Sequence, residues 1–139
     1  MRSKVRTRIG SILLIVVMLL SLLPVHALPD GPIQVGTGDA LTDALTNGGS
    51  IQLDDNITVD AKQNWTITKD VVLDLNGHNI TSTYGESNYY LMTVRGASLT
   101  VTDTSASETG TISADVSGGY GIQLYSNSTF NLEGGTIIS

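Results

Sequence analysis

Cysteine is absent from all 139 residues. Its absence excludes disulfides, thiolate nucleophiles, cysteine-based metal centres and a lipid-modified N-terminal cysteine. The fold must therefore hold by packing and backbone pairing alone. Basic residues are also scarce. Arg2, Lys4, Arg6 and Arg8 crowd the N-terminus, so only Lys62, Lys69 and Arg95 remain downstream. Against those three stand all thirteen acidic residues, which lie beyond Ala27 and leave a net charge of −10 there. Such a surface repels phosphate backbones, which argues against a nucleic-acid partner and suits cations or neutral polysaccharides. Histidine is nearly missing too, with His78 alone beyond Ala27. No serine sits in a recognisable nucleophile turn, so Ser-His-Asp chemistry has no basis.

What is present begins with a leader. The basic N-terminus, the apolar run Ile12 to Leu20, Pro24 and then Val25-His26-Ala27 form the three parts of a signal peptide over residues 1–27. The apolar run is shorter than the roughly 20 residues of a spanning helix, so no membrane span is expected after cleavage. Residues 28–38, rich in proline and glycine, read as a linker. Residues 39–48 read as a short helix, with Ala40, Leu41, Ala44 and Leu45 on one face. Thr37 or Asp39 can cap its start, and Asn47-Gly48-Gly49 ends it. A helix of about two turns needs an apolar surface to cover.

From residue 49 onward short alternating strands take over, and one phrase recurs. Leu73-Asp74-Leu75-Asn76-Gly77-His78-Asn79-Ile80 is echoed by Leu99-Thr100-Val101 with Gly110-Thr111-Ile112, and again by Phe130-Asn131-Leu132-Glu133-Gly134-Gly135-Thr136-Ile137. Aligning the copies places Leu73, Leu99 and Phe130 in one column, Leu75, Val101 and Leu132 in a second, and Ile80, Ile112 and Ile137 in a third. Repeats of this kind predict an all-β solenoid of stacked coils over residues 49–139 with residues 39–48 as its N-terminal cap. The rival architecture is a β-sandwich of short strands. No polar capping segment follows the last strand signal, so the solenoid is expected to continue past Ser139.

The helix and first strand, Asp39 to Leu45 with Gly49 to Leu53, together with the Leu-Asp-Leu-Asn-Gly-His phrase, resemble the pectate-lyase-like family, which implies that the solenoid is an all-β right-handed parallel β-helix. The resemblance runs from about Gly36 to Ser139 and implies an exported bacterial surface or secreted protein. It is specific for architecture rather than activity, because fold does not carry function. Two roles follow from it. One is a scaffold that binds or adheres to glycans or surface partners. The other is the N-terminal part of a polysaccharide lyase or glycoside hydrolase with catalytic coils beyond residue 139. The resemblance also implies calcium as the ion that acidic residues would hold, with a basic residue abstracting a sugar-ring proton. Arg95, in the turn Val94-Arg95-Gly96-Ala97, reads as a solvated charge.

Individual residues point to no catalytic, cofactor-binding or metal-ligating set. Asp74, Asn76 and His78 alternate along one strand and turn, but the echoes lack a second histidine, so Asn76-Gly77 reads as a tight turn. Asp54-Asp55 are neighbours that fill a turn and do not converge. Whether Asp74 meets Asp103 between coils depends on the fold. Tyr84, Tyr89, Tyr90, Tyr120 and Tyr125 lie in or beside loops, where aromatic rings serve as sugar-stacking anchors. Tyr90 and Tyr125 have an alternative place in the coil wall. Four glycosylation sequons, at Asn56, Asn64, Asn79 and Asn127, arise readily in so polar a chain.

Overall fold

The computed structural model describes residues 31–114 and 119–139. The expected leader (residues 1–27) and the first residues of the expected linker lie outside the described residues.

The linker reading fails for Ile33–Val35, which is a strand, β1. Its Ile-Gln-Val alternation suits a half-buried edge, and Val35 is buried. Proline and glycine on either side conceal that alternation in the sequence. The helix α1 follows at Gly38–Asn47. Thr37 caps it, its side-chain oxygen accepting from the Ala40 amide at 3.2 Å. Gly48 ends it, with φ of 75° and its amide donating to the Ala44 carbonyl. A Cβ at Gly48 would lie 2.8 Å from that of Lys69, so both backbone and space require glycine there. Leu41, Ala44 and Leu45 are buried.

Eleven further strands follow in this order: β2 (Gly49–Leu53), β3 (Ile57–Val59), β4 (Trp65–Ile67), β5 (Val71–Asp74), β6 (Asn79–Ser82), β7 (Tyr89–Val94), β8 (Ser98–Thr102), β9 (Thr111–Ala114), β10 (Gly119–Leu124), β11 (Thr129–Leu132) and β12 (Thr136–Ile138). They are dealt in rotation into three sheets, ordered β1-β2-β5-β8-β11, β3-β6-β9-β12 and β4-β7-β10. Every pairing is parallel. A sandwich of antiparallel hairpins has no such pairing pattern.

Apolar residues stack in columns across the sheets. Ile57, Ile80, Ile112 and Ile137 form one such column, as the repeated phrase predicts. The other two expected columns are out of register by two residues. Leu99 and Phe130 align with Val71, and Val101 and Leu132 align with Leu73. The slip conserves the inward face, because an even shift leaves side-chain alternation unchanged.

The slip gives Leu75 a different role. It lies one residue beyond β5, is fully buried, and its amide donates to the Thr102 carbonyl at 2.8 Å. Extending the register places Leu53, Leu75, Asp103 and Gly134 in one column at this corner. A buried carboxylate thus occupies a leucine position. Beside the corner, Asn56 and Asn79 form a short amide ladder. Asn56 Oδ1 accepts from the Asn79 amide, and Asn79 Oδ1 accepts from the Thr111 amide. These bonds satisfy backbone donors where the chain turns out of one sheet and into the next.

Candidate functional site

The two buried carboxylates are the first groups to consider for chemistry. Asp74 Oδ1 accepts from the Asn76 and Thr104 amides, both at 2.9 Å. Its Oδ2 accepts from Gln52 Nε2 and Thr104 Oγ1, both at 2.6 Å. Asp103 Oδ1 accepts from the Gly77 amide at 2.9 Å and the Ser105 amide at 3.0 Å, while Oδ2 accepts from Gly110 at 2.7 Å. Gly110 is admitted by its missing side chain, since a Cβ there would lie 2.6 Å from that of Leu75.

Burial pushes both carboxyls up. For Asp74 the donors from Thr104, Gln52 and Asn76 outweigh that, and for Asp103 those from Ser105, Gly110 and Gly77 do so. The net direction is downward for both. The fold thus brings the two acids to one corner and commits each to holding backbone. Neither is arranged as a proton donor or a metal ligand. Among the described residues no group of three or more histidine or acidic side chains is placed to hold a metal.

His78 also serves the corner through its backbone, its amide donating to the Leu75 carbonyl at 2.8 Å. Asp54 and Asp55 are exposed in the β2–β3 turn, where Asp55 accepts from the Asn56 amide. Lys62 pairs with Glu86 at 2.6 Å, and the Tyr84 hydroxyl donates to the same carboxylate oxygen at 2.9 Å. That network ties two loops together at the surface, where ion pairs contribute little.

The five tyrosines divide into two groups. Tyr89 is buried, its hydroxyl donating to the Gln63 carbonyl, and Tyr84 packs edge-on against it with centroids 5.1 Å apart. These two are structural. Tyr90, Tyr120 and Tyr125 face outward. Tyr90 and Tyr120 are cross-strand partners on β7 and β10, and their rings stack at 5.1 Å with planes 20° apart. At the other end of the same strand pair the Arg95 guanidinium lies 3.8 Å above the Tyr125 ring. Tyr120 and Tyr125 are 47% and 43% exposed, far more than a structural tyrosine requires.

Strict alternation would put residues five apart on opposite faces of a strand. Here Leu91 and Met92 are consecutive and both fully buried. That double inward step lets Tyr90 and Arg95 share the outer side. Arg95 is therefore not a merely solvated charge, since its guanidinium lies over an aromatic ring. The Tyr90–Tyr120 and Arg95–Tyr125 pairs were legible only through the repeat spacing, which carries each β7 residue onto its β10 partner.

A shallow depression of about 300 Å³ on the first sheet, lined by Gly49, Ser50, Asp70, Val72, Ser98 and Thr100, offers a second surface. It contains no aromatic side chain and one carboxylate, Asp70, which already accepts from the Ser98 amide at 2.8 Å.

Comparison of the chain with protein-family models, with curated proteins and with solved structures returned no match.

Proposed function

We propose that this chain is an exported bacterial scaffold of the right-handed parallel β-helix type, which binds or adheres to neutral glycans through the outer face of β7 and β10. The observation that carries the reading is the outward Tyr90–Tyr120 stack with the Arg95–Tyr125 pair on the same two strands. The rotation of parallel strands through three sheets supports the solenoid. The leader-like residues 1–27 support export.

Exposed aromatic rings cost solvation unless something flat and partly apolar covers them. The non-polar face of a pyranose ring is such a partner. Strands rise about 3.3 Å per residue, so the two aromatic stations lie at most about 16 Å apart along β10. A short oligosaccharide laid along the strand would reach both. The acidity of the rest of the chain favours an uncharged ligand. The lyase or hydrolase alternative gains nothing from Asp74 and Asp103, whose oxygens are already engaged.

The test is a glycan array followed by titration of the best neutral oligosaccharide. Tyr120→Ala is expected to weaken binding about tenfold or more, in line with loss of an aromatic anchor, with an unchanged circular dichroism spectrum. Absence of binding to any glycan, or wild-type affinity in both Tyr120→Ala and Tyr125→Ala, overturns the reading.

A further inference from the structure

Asn76–Gly77 joins β5 to β6, and an asparagine followed by glycine is the pair most prone to spontaneous deamidation. In that reaction the Gly77 amide nitrogen loses its proton and attacks Asn76 Cγ. A five-membered succinimide forms, ammonia leaves, and water then opens the ring to aspartate or isoaspartate. Glycine favours it because no side chain obstructs the approach.

We propose that Asn76–Gly77 is a latent deamidation site kept closed by the Asp103 carboxylate. Three contacts oppose ring closure. The attacking nitrogen donates its proton to Asp103 Oδ1 at 2.9 Å. The leaving amide is held too, Asn76 Nδ2 donating to the Leu53 carbonyl at 3.1 Å. The Asn76 backbone amide is fixed on Asp74 Oδ1 at 2.9 Å. Carboxylates are too weak as bases to deprotonate an amide, and their negative charge raises the cost of the anionic nitrogen that attack requires. Reaction therefore needs the corner to open, with Gly77 leaving Asp103.

The product would not fit back. Isoaspartate adds a methylene to the main chain between β5 and β6, and so disturbs the register that each of them keeps with the strands of the neighbouring coils. Either product also sets a third carboxylate beside Asp74 and Asp103, with the Leu53 carbonyl facing it in place of a donor. One chemical event at this bond thus unlocks the corner permanently.

The test compares folded chain with a denatured sample in mildly alkaline buffer, following residue 76 by peptide mass mapping and isoaspartate content. Hydrogen exchange of the Gly77 amide is measured alongside. Deamidation in the folded chain is expected to be slowed by the same factor that protects Gly77 from exchange, roughly tenfold or more for a charge-assisted bond. Asp103→Ala, where it remains folded, is expected to deamidate at least several-fold faster than wild type. Folded chain reacting as fast as the denatured sample while Gly77 is protected overturns the proposal. So does a folded Asp103→Ala with the wild-type rate. If Asp103→Ala does not fold, agreement between exchange protection and deamidation rate in wild type decides the matter alone.

Discussion

Asp103 occupies a position where neighbouring coils place leucine, Asp74 lies in the adjoining polar column between Gln52 and Thr102, and both buried carboxylates are held by hydrogen bonds. Their carboxyls titrate below the ordinary range, so their contribution to stability is complete above the unfolded value of about 3.9 and is lost as pH falls through the lower folded values. Thermal melting is therefore expected to hold nearly constant from neutral pH down to about 5 as far as these two groups are concerned, then to fall steeply below about pH 4. Asp103→Ala is expected to cost about 2–4 kcal/mol at neutral pH, because it strands the Gly77, Ser105 and Gly110 amides. It should also flatten the acid limb of the melting curve. An acid limb as steep as in wild type would show that the carboxylate does not carry the effect.

The helix and its neighbouring strand meet at a single hydroxyl. Thr42 Oγ1 donates to the Gly38 carbonyl at 2.8 Å and accepts from Trp65 Nε1 at 2.8 Å, with Gln63 Nε2 at 3.4 Å. Trp65 is 2% exposed and is the only tryptophan in the chain, so its emission reports on this joint. Thr42→Val is expected to cost about 1–3 kcal/mol in urea unfolding followed by that emission, since it leaves a buried indole N–H without an acceptor. An unshifted midpoint would mean that the indole finds water.

Elements of this kind were largely legible beforehand. Helix α1 announced itself by apolar spacing and by Thr37 and Gly48, and short strands begin at Gly49, where the alternation places them. What escaped was register and β1. Leu73 and Leu75 are identical in chemistry, so the phrase alone does not say which of them pairs with Val101. For the outer face of β7 and β10, exposure was the hidden variable. Tyr89 and Tyr90 are adjacent in sequence, yet strand alternation buries one and leaves the other stacked outside, and the phrase does not say which of the two faces inward.

At the scale of the whole molecule, each described strand pairs only with the equivalents before and after it, so stability is expected to vary along the stack and not to be uniform. Leu73, Leu75, Ile80, Leu99 and Val101 are fully buried, whereas Leu124, Leu132 and Ile138 are nearly half exposed. Native-state hydrogen exchange should accordingly show the strongest protection in β5, β6 and β8 and the weakest in β10 to β12. Uniform protection would indicate a single cooperative block. The proposed export makes its own demand, a mature N-terminus at Leu28 by mass spectrometry, and a secreted form still beginning at Met1 would contradict it.

The Asp103 corner has one further consequence. Because this carboxylate grips the amides of Ser105 and Gly110, it fixes both ends of the excursion between β8 and β9 and leaves Ala106 to Thr109 outside its grasp. Closing a longer loop costs only about 0.6 kcal/mol for each doubling of its length. The tip is therefore the expected splice point for a foreign peptide, and an insertion there that leaves the melting temperature nearly unchanged would bear this out.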